Sequence, residues 1–94
     1  MASPFDGLTI GRMVHVVLER GELNFPIHRP AIVTEVLEEG LIFCTVFLAV
    51  GDVENGCVSN VAAAVPPGNL LALPEVSYDG LARSNYSWHW PERA

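Results

Sequence analysis

The chain has 94 residues, of which 50% are hydrophobic and 17% charged, where an average soluble domain carries roughly 25% charged residues. Eleven acids stand against five arginines and no lysine, and the resulting net charge of −6 repels a phosphate backbone and excludes general DNA or RNA binding. No apolar run reaches the ~18 residues that cross a bilayer, and Met1 to Ile10 lacks a basic start and holds Asp6, so neither a membrane span nor a secretory leader is expected.

Breakers recur along the whole chain, at Gly11, Gly21, Pro26, Pro30, Gly40, Gly51, Gly56, Pro66-Pro67-Gly68, Pro74 and Gly80. Between them lie short runs rich in Val, Ile, Phe and Leu, the pattern of a small β-domain. Strand one is expected over 12–18, with Val14, Val16 and Leu18 facing the interior. A long polar connection over 19–29 leads to strand two at 31–37. Glu38-Glu39-Gly40 then closes a tight hairpin, with glycine where a positive φ is needed.

Strand three, 41–50, is apolar on both sides. Ile42, Cys44, Val46, Leu48 and Val50 alternate with Leu41, Phe43, Phe47 and Ala49, and Thr45 is the one polar interruption. A barrel strand needs one apolar face, and leaving a large side chain in water forgoes about 1.5–3 kcal/mol each. The second face, with Leu41, Phe43, Thr45 and Phe47, is therefore expected to be covered by another copy of the chain. An Asn55-Gly56 turn follows, then a small-residue strand four over 58–65. Strand five, 70–78, holds Pro74, which cannot donate to a ladder and marks an edge or a bulge. The terminal strand six spans 86–90.

Candidate chemistry is sparse. His15, His28, His89, Cys44 and Cys57 show none of the short spacings of a metal site, so no metal and no cofactor is expected. Cys44 falls in an apolar strand pattern and reads as a free core thiol in a reducing compartment. Cys57 sits beside an acidic turn that raises a thiol pKa, and no serine lies in a nucleophile elbow. Glu38 and Glu39 are adjacent and point to opposite faces, as at a hairpin tip. The chain is not expected to be an enzyme.

The terminal strand carries both tryptophans. With period two, Tyr86, Trp88 and Trp90 share one face and His89 takes the other. The three rings either plug an open barrel end or form a stacking platform for a ring-bearing ligand or an anchor in a partner's pocket, with Arg29 or Arg83 supplying cationic donors. Arg29 also has a simpler use, pairing with an acid such as Glu35.

Gly11-Arg12-Met13-Val14-His15, Arg29-Pro30-Ala31-Ile32-Val33-Thr34, Val46-Phe47 ahead of an acidic Gly/Asn loop, and the closing Trp88-His89-Trp90-Pro91-Glu92 resemble, in order and over nearly the whole chain, a group of small tailed-phage and prophage proteins of unassigned function. The resemblance implies a viral origin and a compact β fold, and implies no reaction. This chain departs from the pattern in continuing apolar through Leu48-Ala49-Val50 and in its alanine-rich strand four.

These observations predict a single all-β domain over 1–94, a small, partly open antiparallel barrel of SH3-like size with five to six strands. Two roles are compatible with it, both in the virion or the host cytoplasm. One is a non-enzymatic, self-associating structural component of a larger viral assembly, such as a capsid decoration protein. The alternative is an anti-defence binding module that sequesters a small anionic, nucleotide-like ligand through Tyr86, Trp88, His89, Trp90, Arg29 and Arg83.

Overall fold

The computed structural model describes residues 5–21, 27–58, 64–65 and 70–91. Six strands, β1 (Met13–Leu18), β2 (Ile27–Val36), β3 (Ile42–Phe47), β4 (Ala64–Val65), β5 (Leu70–Val76) and β6 (Trp88–His89), form one antiparallel sheet in the order β4-β5-β3-β2-β1-β6. The single all-β antiparallel sheet matches the sequence expectation. Its ladders do not close into a barrel: β4 and β6 are edges of two residues each, short enough to offer little template for foreign strands. The gap between the β5 side and β6 is spanned by one isolated parallel bridge, Tyr78 to Trp88.

Alternation decides which side becomes core. Val14, Val16 and Leu18 of β1, Ala31 and Val33 of β2, Ile42, Cys44 and Val46 of β3, and Leu71 and Val76 of β5 are buried on the concave side. Strand β2 begins at Ile27, four residues before the expected start, so the connection after β1 is shorter than its composition suggests. Pro30 is accommodated opposite His15. The turn between β2 and β3 is one turn of 3-10 helix, Glu38–Gly40, with Glu39 and Gly40 both at positive φ. A Cβ at Gly40 would overlap the Phe5 ring, so glycine serves both the backbone and the packing there.

Strand β3 is shorter than expected and ends at Phe47. Leu48 stays in the core, but Val50, expected on the interior face, is 101% exposed. The reason lies two residues on, where the Asp52 carboxylate accepts the Ala49 N–H at 2.8 Å and turns the chain away. In β5 the register shifts so that Pro74 and Glu75 lie opposite Phe43, with Glu75 at φ 50°. Pro74 thus marks a bulge, and β5 is interior to the sheet, between β4 and β3. Most of expected strand four lies outside the described residues.

Candidate functional site

Two surfaces hold the residues singled out above, and the strand register separates them. The first is the seam where the sheet stays open. Trp88 is 0% exposed. Its backbone N–H donates to Ser77 O and its carbonyl accepts from Asp79 N–H, each at 2.9 Å, while its indole Nε1–H donates to Gly40 O at 2.7 Å. Tyr78 and Trp90 meet it edge-on, with centroids 4.8 and 5.2 Å away, and Phe5 packs against it at 6.2 Å. A buried indole with its N–H satisfied is a plug, and Trp88 has no ring face for a ligand to stack on.

Tyr86 departs from the period-two stripe. Its φ is 59°, so β6 begins only at Trp88, and its hydroxyl donates to the Glu19 carboxylate. Trp90 remains half-buried, with the Arg12 guanidinium 5.4 Å above its ring. Among the described residues the cation that reaches the aromatic cluster is therefore Arg12, which alternation alone had not marked.

The arginines proposed for anion binding are placed elsewhere. Arg29 Nε and Nη2 donate to Asp52 Oδ2 and Oδ1 at 2.8 and 2.9 Å, a bidentate pair with Asp52 buried. The acid that pairs with Arg29 is Asp52 and not Glu35, because Arg29 lies on the concave side of β2 whereas Glu35 stands beside Phe43 on the other face. The hydrogen bond that Arg29 donates to Asp52 raises the Arg29 pKa. For Asp52, burial pushes the carboxyl up, but the Arg29 hydrogen bonds, the Ala49 N–H and the guanidinium charge together hold it below the ordinary carboxylate value. Arg83 is exposed in the loop before β6; its backbone N–H, with those of Leu81 and Ser84, donates to the Asp79 carboxylate, and these bonds lower the Asp79 pKa.

The second surface is the convex face of the sheet. Paired residues place Met13, Ile32, Thr45 and Ala72 in one row across four strands. The next row toward the histidines holds His15 opposite Pro30 on one side and His89 on the other, and Phe47 opposite Leu70. On the far side Phe43 stands opposite Glu35. Phe43 and Phe47 are 37% and 40% exposed and Met13 40%, while Thr45 is half-buried among them. Leu41 precedes β3 and lines a shallow groove with Val36, Leu37 and Glu38.

The same face gathers the chain's three histidines, from β1, β2 and β6. The His89 ring contacts His28 at 4.9 Å and His15 at 5.8 Å, both edge-on, and Val17, opposite His28, is buried beside them. Local spacing gave no hint of this grouping; the pairing of β1 with both β2 and β6 creates it. Among the described residues no three His, Cys, Asp or Glu side chains are arranged to hold a metal ion.

Both cysteines are free and buried. Burial pushes the Cys44 thiol up to about 12. Burial first, then the Asp52 charge, also raises Cys57, as the acidic turn suggested. Neither thiol is a ready nucleophile. Among the described residues no helix is long and apolar enough to cross a membrane. Comparison with protein-family models, with curated proteins and with solved structures finds no match to this chain.

Proposed function

We propose that this chain is a non-enzymatic accessory protein of a tailed phage or prophage, acting as a self-associating structural component such as a capsid decoration protein. The observation that carries the reading is the convex face. Phe43 and Phe47 stand 37% and 40% exposed on a strand whose opposite side is already the core. Aromatic enrichment with few charges is the composition of an interface centre, and the row Met13, Ile32, Thr45 and Ala72 between the two rings holds no charged side chain, while Glu35 and Glu75 flank it beside Phe43. The viral assignment rests on the resemblance of the strand motifs and of the Trp-His-Trp-Pro-Glu ending.

The ligand-sequestering alternative finds less support. Its central ring, Trp88, is buried, and its best cation, Arg29, is held by Asp52. The reading is tested by sedimentation with Phe43→Asp. Wild type should associate at micromolar concentration, and the variant should sediment as a monomer with unchanged circular dichroism. Wild type that remains monomeric up to high concentration refutes self-association, and failure to co-sediment with phage particles refutes the virion role.

A further inference from the structure

Among the chain's asparagines only Asn55 precedes a glycine, and asparagine is a thermolabile residue. A five-membered ring forms when its side-chain amide carbon meets the Gly56 nitrogen, and glycine has no side chain to obstruct that approach. Both groups are engaged in the turn after β3. Gly56 N–H donates to Val53 O at 3.1 Å, and Asn55 N–H donates to Gly51 O at 2.8 Å. The Asn55 Nδ2 lies 3.4 Å from where a Cβ on Gly51 would stand, so the side chain packs over Gly51.

We infer that Asn55 is a site of spontaneous covalent modification gated by the Arg29–Asp52 ion pair: the pair keeps the turn shut and Asn55 intact, and opening of the turn lets the Gly56 nitrogen attack the Asn55 side chain. The Gly56 nitrogen gives up its proton and bonds to Asn55 Cγ. The Cγ–Nδ2 bond breaks, the side-chain nitrogen leaves as ammonia, and a succinimide remains. Water then opens that ring, at Cγ to leave aspartate or at the main-chain carbonyl carbon to leave isoaspartate. Nothing is oxidised or reduced. The product holds a carboxylate in place of a neutral amide, and isoaspartate adds one carbon to the main chain.

Asp52 fastens this turn at both ends. Its carboxylate accepts Ala49 N–H at 2.8 Å and two Arg29 donors, and its carbonyl accepts Cys57 N–H at 2.9 Å. The other side of the turn is packed against the chain after β1: a Cβ on Gly21 would overlap the Asn55 carbonyl, and one on Gly56 would stand 3.3 Å from Gly21 Cα. Ring closure has to rotate the Asn55-Gly56 peptide and strip its N–H, and neither fits while that N–H is bonded to Val53 and the carbonyl rests on Gly21. The reaction therefore runs through local opening, at a rate set by the open fraction. Opening releases the Asp52 bonds, and through Arg29 those bonds tie the turn to β2.

Peptide-mapping mass spectrometry of the full chain, aged in mildly alkaline buffer with and without urea, tests this. Native wild type should convert at Asn55 about tenfold or more slower than in urea, with isoaspartate forming alongside aspartate. Arg29→Gln, which introduces no new asparagine, should speed native conversion by about tenfold to a hundredfold, the worth of hydrogen bonds to a charged partner written as a rate ratio, and should match wild type in urea. Asp52→Asn gives the same comparison should Arg29→Gln not fold, with fragment spectra separating positions 52 and 55. Trp88→Phe, which weakens the fold at the seam and leaves the turn alone, should convert at close to the wild-type rate. Folded wild type converting as fast as in urea, aspartate without isoaspartate, a folded Arg29→Gln or Asp52→Asn as slow as wild type, or equal acceleration by Trp88→Phe overturns the gate.

Discussion

Trp88 shows how one side chain can stand in for a missing ladder. Its main chain bridges to Ser77 and Asp79, its indole bonds Gly40 O, and Phe5, Tyr78 and Trp90 surround it at the seam. Trp88→Ala should therefore cost about 3–5 kcal/mol. Trp88→Phe, which keeps much of the ring but strips the donor from a buried carbonyl, should cost about 1–3 kcal/mol. Urea midpoints at unchanged slope are the measurement, and a Trp88→Ala variant as stable as wild type would mean that the seam is not held by this ring. The importance of the two tryptophans is legible in the sequence, because side chains that large and apolar must pack or bind. Their division of labour is not, since it turns on the positive φ of Tyr86 and on a carbonyl 48 residues away. The histidine grouping was hidden for a related reason: it depends on which strands neighbour β1, and sequence spacing carries no information about that.

At the scale of elements, alternation located the interior residues of β1 and β3 well, because a period of two leaves little choice when one side must be buried. It failed at strand ends, where hydrogen bonds and not hydrophobicity decide. Val50 continues the apolar pattern of β3 yet is exposed, because Asp52 captures the Ala49 N–H and, through Arg29, ties the turn after β3 back to β2. Asp52→Asn keeps the shape and removes the charge. It should cost about 1.5–3 kcal/mol, the worth of hydrogen bonds to a charged partner. The pH dependence has a definite sign. The folded-state pKa of Asp52 lies below its unfolded value, so this stabilisation is full above the unfolded value near pH 4 and drains away as pH falls through the folded one. Wild type should thus lose stability below about pH 4 more steeply than Asp52→Asn; equal acid sensitivity in the two proteins would remove the clamp from the account of this turn.

The whole molecule combines a small core with an apolar outer face, and the two are thermodynamically linked. A chain of 94 residues buries a smaller fraction of its surface than a larger domain and has limited stability of its own. Association through the convex face would add to that stability by mass action, at roughly 2.7 kcal/mol when the partner concentration is 100 times its dissociation constant. The melting temperature should then climb with protein concentration. For a domain of this size 1 kcal/mol moves Tm by about 4–8 °C, so a hundredfold range of concentration should shift it by several degrees. Phe47 is 40% exposed and makes no part of the concave core, which gives Phe47→Asp a distinct signature: a Tm near that of dilute wild type and flat with concentration. Were the substitution to lower Tm equally at every concentration, Phe47 would be contributing to the fold of the single chain, and the convex face would owe its apolar character to intramolecular packing and not to a partner.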